Sequence, residues 1–558
     1  MENQIKVCQN CKKDFVIESE DFNFYEKIGV LPPKICSECR AQLRLSFRNE
    51  RVFYKRPCGK CSKDMVSMYS LNKPYKVWCY DCYFADDWDA SDYGILYDSN
   101  RPFLEQYENL LKIVPKVGLI YMRSPNSQYT NISADNKNCY MIVESSNNEN
   151  CINCYWIQVS KDLVDCSFTN KVELSYEVDD CYDCHNLKYA KGCHSCLDSS
   201  FMLDCRNYND CFGCVSLRGQ KYNIFNIPHT KEEYEKFIKE IKLDTTSGVE
   251  KMQKQFEEFI LKNPRKYAEI IQGVNSNGNY IKSARNCNNC FHCYDSEDCK
   301  YGVHTWRNAK DCMDVDTAGR NAELIYNTIN AGIDTSRQIA SSVCWSSTYA
   351  NYSSYCFNCN HVLGCIGLRK KDYCILNKKY DKETYEKISK EIINKMKEEG
   401  IWGDFLPNYM SAFGYNETPA NEQFPLKKED AILRGYKWED TERGTYKKET
   451  IIWDNFPESI NDLPKDFNVT KEVFVCLNCE KNYRIIIDEF SFYKRMQIPI
   501  PRNCPECRHA KRLEKRGPNK LWHRKCMKEG CQNEFETSYA PDRPEVIYCE
   551  RCYQQEVY

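Results

Sequence analysis

Apolar residues follow a helical period in only a few stretches of this chain. Phe103, Leu104, Tyr107, Leu110, Leu111 and Val114 recur at three- and four-residue steps, which predicts one amphipathic packing helix. The segments "TKEEYEKFIKEI" from 230 and "DKETYEKISKEI" from 381 predict two more, and Thr230 with Glu233 forms a capping box for the first. Helical spacing resumes in "GVEKMQKQFEEFILKN" and runs to about 272, so a helical hairpin is expected there. From Cys139 to Cys374 the pattern is different: short β-branched and aromatic segments alternate with Asn, Asp and Gly, as in short strands joined by turns. Residues 400–470 are rich in Trp, Pro and Gly with one short helical stretch, and predict an extended strap lying on other surfaces. Mean hydropathy is -0.69, no apolar run is long enough to span a membrane, and the first residues have no signal-like apolar core. A cytoplasmic protein with no membrane partner is expected.

The cysteines change this picture. A reducing compartment disfavours structural disulfides, so 37 cysteines point to metal thiolates. The first eight are the doublets Cys8 and Cys11, Cys36 and Cys39, Cys58 and Cys61, Cys79 and Cys82, separated in turn by 24, 18 and 17 residues. The last eight are Cys476 and Cys479, Cys504 and Cys507, Cys526 and Cys531, Cys549 and Cys552, and the separations are again 24, 18 and 17. An internal duplication of a two-site module explains the match. Two Cys-x-x-Cys turns supply four thiolates to one tetrahedral zinc and leave no open position for water, so four structural zinc ions are expected. Lobes this small have little core of their own, and zinc contributes folding free energy on the order of 10 kcal/mol per site.

Other residues repeat in register between the ends. Phe22, Phe24 and Tyr25 match Phe490, Phe492 and Tyr493; Tyr83 matches Tyr553. Arg40, Arg44 and Arg48 match Arg508, Arg512 and Arg516, and four-residue steps place each trio on one face of a helix that starts at the second doublet. Such a stripe suits phosphate contacts on nucleic acid, or docking onto a protein surface or the rest of the chain. Residues 1–82 carry net +5 and residues 471–558 net +4, which leaves -11 for the centre of a chain of net -2. Each tetrathiolate zinc adds -2, so the modules fall to about +1 and 0, a weak field for nucleic acid.

The remaining 21 cysteines lie between Cys139 and Cys374, at separations near multiples of three and often 21 apart. That resembles a parallel β-helix with coils of roughly 20 residues and stacked inward cysteines. The body is itself duplicated: "CVSLRGQKYNIFN" at 214 matches "CIGLRKKDYCILN" at 365, an offset of 151, and each copy runs into one of the helices above. The expected architecture is multidomain and mainly β. Tandem four-cysteine modules of zinc-ribbon or treble-clef type at 1–83 and 471–558 flank a linker with its helix (84–138), a β-helix half (139–228), a helical hairpin insert (229–275), a second half (276–379), a helix (380–399) and the strap (400–470).

Asp314 and Asp316 would share one strand face, in the manner of a general acid and base on a carbohydrate-active β-helix, and are the catalytic candidates. No phosphate loop, Ser-His-Asp series or dinucleotide fingerprint stands out, so no small-molecule cofactor is expected. The stretches "CSECRAQLRLSFRNERVFYKRPCGKC", "WCYDCYFADDWDASDYG" and "GCIGLRKKDYCILNKKY" resemble a family of uncharacterised cysteine-rich zinc-ribbon proteins of candidate-phylum bacteria. The resemblance covers nearly the whole chain and implies architecture without an activity. Together these features lead us to expect a non-catalytic zinc-binding scaffold that engages a protein or nucleic-acid partner. The alternatives are an RNA- or DNA-binding protein using the arginine stripes and a carbohydrate-active enzyme.

Overall fold

In the computed structural model, which describes residues 2–306, 313–318, 321–332 and 334–557, the centre of the chain turns a corner at every third residue. Asn138, Met141, Glu144, Asn147, Asn150, Asn153, Trp156, Val159, Asp162 and Asp165 all have φ between 50° and 60°. A left-handed conformation costs an ordinary L-residue roughly 1–2 kcal/mol, which explains why Asn and Asp recur at these corners and why Gly192, Gly213 and Gly219 fall in the same phase. Parallel partners lie 12 residues apart: Lys161 with Glu173, Asn170 with Tyr182, His185 with Leu197, and Asn360 with Asp372. The repeat is therefore 12 residues and not the roughly 20 expected. Cysteines 21 apart are one 12-residue step plus nine, two inward positions on neighbouring rungs.

Beside aliphatic residues such as Ile142, Leu163 and Leu187, many inward positions carry small hydrogen-bond donors, which meet backbone carbonyls facing the interior. The Cys151 thiol donates to the Glu149 carbonyl at 3.3 Å and to that of Ser160 at 3.7 Å. Ser145 does the same toward Val143 at 2.7 Å, and its oxygen accepts the Ile157 N–H at 3.1 Å. Cys181 likewise accepts the N–H of Cys193 at 3.3 Å. Buried cysteine stacking was expected; the thiols also satisfy the backbone. Parallel pairing starts at Tyr121 with Ser133, upstream of Cys139.

The two halves lie side by side and run in opposite directions. Trp156 faces His304, Phe168 stacks on His292 at 5.1 Å between ring centres, and the Tyr182 hydroxyl bonds that of Tyr294 at 2.8 Å. Each half is covered by the helix that leads into the other. Helix Phe103–Ile113 precedes the first half and packs on the second, where Phe103 sits against Gly364 (φ +63°), whose added Cβ would approach the ring to 2.6 Å. Helix Thr246–Leu261 precedes the second half and packs on the first, through Phe256 against Phe201. Helix Lys231–Glu240 begins with the expected capping box of Thr230 and Glu233. Among the described residues there are twelve α-helices besides the sheets, so the architecture is mixed where a mainly β one was expected.

The strap contains more local helix than its composition suggested, with helices Pro419–Gln423 and Lys428–Leu433 and several single 3-10 turns. Its first part lies on the N-terminal module, where the Trp402 indole N–H donates to the Gly29 carbonyl and Ser411 to that of Ser46. Its last part reaches the C-terminal module, where Trp453 stacks on Phe474.

Candidate metal centres

All sixteen terminal cysteines fall into four clusters: Cys8, Cys11, Cys36 and Cys39; Cys58, Cys61, Cys79 and Cys82; Cys476, Cys479, Cys504 and Cys507; Cys526, Cys531, Cys549 and Cys552. Within each cluster the four sulfurs lie within 4.8 Å of one another, and the cysteines are free thiols. Adjacent doublets pair, as sequence order suggested. Sulfurs of different doublets approach to 3.8 Å for Cys11 and Cys36, 3.9 Å for Cys61 and Cys79, 3.8 Å for Cys479 and Cys504, and 4.0 Å for Cys531 and Cys549. A tetrahedron with metal–sulfur arms of about 2.3 Å has an edge of about 3.8 Å, so the donor set fits a four-thiolate metal ion.

The local sequence builds the same cradle four times. A short antiparallel hairpin, such as Gln4–Val7 with Asp14–Ile17, is closed by the turn that holds the first doublet. Lys12, Ser62 and Glu480 take a left-handed corner just after the doublet in three centres; in the longer Cys526–Cys531 loop the left-handed residue is Gly530 (φ 80°), just before the second cysteine. The second doublet opens a helix: Cys36 caps Ser37–Leu45, Cys79 caps Tyr80–Phe84 and Cys504 caps Pro505–Arg516. The N–H of each capping cysteine points at a first-doublet sulfur: Cys36 to Cys8 at 3.3 Å, Cys79 to Cys58 at 3.2 Å, Cys504 to Cys476 at 3.2 Å, and Cys549 to Cys526 at 3.3 Å. Such donors and the helix N-terminus favour thiolate over thiol. Hydrogen bonding from Cys39 is the main influence that pulls Cys36 down to about 5. Burial opposes ionisation of Cys58, yet the N–H groups of Cys61, Cys79 and Lys60 bring it to about 6.

The arginine trios are not an exposed stripe. Arg40 lies 2.5 Å from Asp314, and Arg44 lies 3.5 Å from both Asp314 and Asp316. Arg48 pairs with Glu50 at 2.5 Å and with Glu144. In the other module Arg508 lies 2.7 Å from Asp165 and 3.1 Å from Glu489, and Arg516 lies 2.6 Å from Asp180, with its guanidinium over the Phe168 ring. Every one of the six is at most 7 % exposed. The expected nucleic-acid or partner contact at Arg40, Arg44, Arg48, Arg508, Arg512 and Arg516 is thus replaced by docking onto the chain's own central halves. Asp314 and Asp316 do share a face, but each is 1 % exposed beneath the arginine helix, so no polysaccharide reaches them as a catalytic pair. Burial raises the Asp316 pKa against the pull of Arg44.

The docking is crossed. The N-terminal module binds the second half, with the Tyr25 ring 5.8 Å from that of Tyr326; the C-terminal module binds the first, with Tyr493 5.8 Å from Tyr176. Each module also pairs one strand with the segment that enters the other half: Val77–Trp78 with Lys116–Val117, and Ile547–Tyr548 with Arg265–Lys266. Compared with protein-family models and with curated proteins, the chain matches none. The carboxylates that receive the arginines were missed in the sequence, although "KDLVD" at 161 and "KDCMD" at 310 repeat Asp165 and Asp314. The recurrent Arg218 and Arg369 are structural: Arg218 pairs with Asp204, and Arg369 holds the carbonyls of Phe84 and Ala85.

Proposed function

We propose that the protein is a non-catalytic, zinc-dependent scaffold that presents its outer surface to a protein partner. In this reading each four-cysteine cluster holds one structural zinc in a treble-clef-like lobe, and the centre is a pair of parallel β-helices with 12-residue coils. The 12-residue pairing, the corner at every third residue and the inward thiols and hydroxyls support the β-helix assignment. Sulfur spacing and the N–H donors on the thiolates support zinc, whose preference for four thiolates in closed structural sites fits this donor set.

The observation that carries the scaffold reading is the burial of all six stripe arginines against carboxylates of the central halves. Groups that would contact phosphates on a nucleic acid are instead used to clamp the molecule together. The test is to titrate zinc-loaded protein with single-stranded RNA and duplex DNA at about 50 mM salt, where phosphate contacts are strong. The scaffold reading expects no complex whose affinity falls steeply with added salt. A tight, salt-sensitive complex would replace it with a nucleic-acid role.

A further inference from the structure

The two docking sites are copies, but one of them has lost a partner. Between Lys161 and Phe168 the first half aligns with the second at an offset of 149, so Asp165 corresponds to Asp314 and Ser167 to Asp316. After one inserted residue the offset becomes 150, so Glu177 corresponds to Asn327. In the N-terminal module Arg44 pairs with Asp314 and Asp316 and donates to Asn327 at 3.1 Å. Among the described residues its counterpart Arg512 pairs with Asp165 alone, at 3.5 Å, and Asp165 also receives Arg508 at 2.7 Å. None of the three guanidinium nitrogens of Arg512 makes a hydrogen bond among the described residues, although the residue is 7 % exposed.

A cavity of about 370 Å³ opens beside this arginine, between the Thr246–Leu261 helix, the first half and the C-terminal module. On the other side the matching region is filled: the strap brings Trp402 to 5.6 Å from Tyr352 and Phe405 to 5.1 Å from Phe47. The unfilled cavity is walled by Tyr189, Phe201, Phe256 and Tyr280. The exposed pair of Lys515 with Glu257, 3.4 Å apart, ties the two helices that border it, and exposed Lys511 is also part of its lining. A desolvated guanidinium without acceptor partners costs roughly 1–3 kcal/mol or more, and a bidentate oxyanion removes that cost. Volume, apolar walls and a buried guanidinium without a hydrogen-bond acceptor are features of a small-molecule site, and the other charges of the lining include the pairs Arg516 with Asp179 and Asp180, Arg543 with Glu545, and Lys515 with Glu257.

We propose that this cavity binds a small organic anion, a carboxylate or phosphate monoester on an aromatic or apolar body, with its oxyanion on Arg512 and its body against Phe201, Phe256 and Tyr280. The ligand replaces the carboxylate that Asp316 supplies on the other side. The probes are phenylacetate and phenyl phosphate, with phenylacetamide as the neutral control, read as thermal shifts on the full zinc-loaded chain. Either anion is expected to raise Tm saturably by about 2–4 °C, while the amide leaves it unchanged. Arg512→Gln should weaken anion binding at least tenfold. Ser167→Asp, which rebuilds the missing carboxylate, should also abolish binding while keeping or raising the ligand-free Tm, which shows that the variant is folded. The proposal is overturned if neither anion shifts the wild-type protein, or if the shift persists in Ser167→Asp.

Discussion

Arg508 lies 2.7 Å from Asp165, and neither side chain is more than 5 % exposed. One residue belongs to the last cysteine module and the other to the first central half, so this contact is where a four-cysteine lobe locks onto the half more distant from it along the chain. Arg508 also serves Glu489 at 3.1 Å and the Tyr493 hydroxyl at 2.8 Å. Removing it leaves the buried Glu489 without its cation and Asp165 with Arg512 at 3.5 Å. Arg508→Ala should therefore cost about 3–5 kcal/mol, against at most about 1 kcal/mol for an exposed pair. Lysine should not rescue it, because one ammonium does not span two carboxylates as a guanidinium fork does. Urea unfolding of the three proteins measures this, and a loss below about 1 kcal/mol for alanine would contradict the docking role.

The interior thiols should behave as hydrogen-bond donors more than as apolar filler. Cys193 donates to the Lys191 carbonyl at 3.5 Å and its N–H is received by Cys181. Serine already fills equivalent inward positions at Ser145 and Ser160. Cys193→Ser should cost under about 1 kcal/mol, whereas Cys193→Val removes the donor and adds volume, for a loss of about 2–3 kcal/mol. Thermal unfolding of both variants checks the order, and a valine variant as stable as the serine one would refute it.

How much of this was legible in the sequence differs between its parts. The four clusters were, because sulfur ligands on a short turn and a helix start are fixed by local spacing. Cys526 with Cys531 joined the series despite its longer loop because the separations on either side were kept. The fate of Arg40 and Arg508 was not legible: four-residue steps define a helix face, and an exposed face and a buried ion-paired face share that period. The 12-residue repeat was hidden because several inward positions occur in each circuit, so pairs such as Cys184 and Cys205 mark two rungs without being partners. Crossed docking depends on contacts between distant segments such as Tyr25 and Tyr326, for which local pattern carries no signal.

Acid should destabilise the protein through histidines buried in the neutral form. His509 is 4 % exposed, and burial, with Arg51 and Arg512 nearby, holds its imidazole down to about 4 despite Glu422 at 3.9 Å. Burial also depresses His292 and His304, reinforced by the charge of Arg516 on His292 and of Arg48 and Arg516 on His304. The unfolded chain binds these protons near 6.5 and the folded chain only lower. The stability that the neutral form contributes is thus present above pH 6.5 and lost as pH falls toward 4. For His509 the loss between pH 7.5 and pH 5 is about 2 kcal/mol. Urea unfolding at both pH values should show a smaller fall for His509→Gln than for the wild-type protein by that amount; parallel falls would contradict it.

The most direct test of the whole account is zinc K-edge absorption spectroscopy combined with native mass spectrometry of the purified chain. Four zinc ions per chain are predicted, each with four sulfur neighbours at about 2.3 Å and no oxygen or nitrogen ligand. Fewer than four metal ions on a folded chain, disulfides among the sixteen terminal cysteines, or a mixed sulfur–oxygen shell would contradict it.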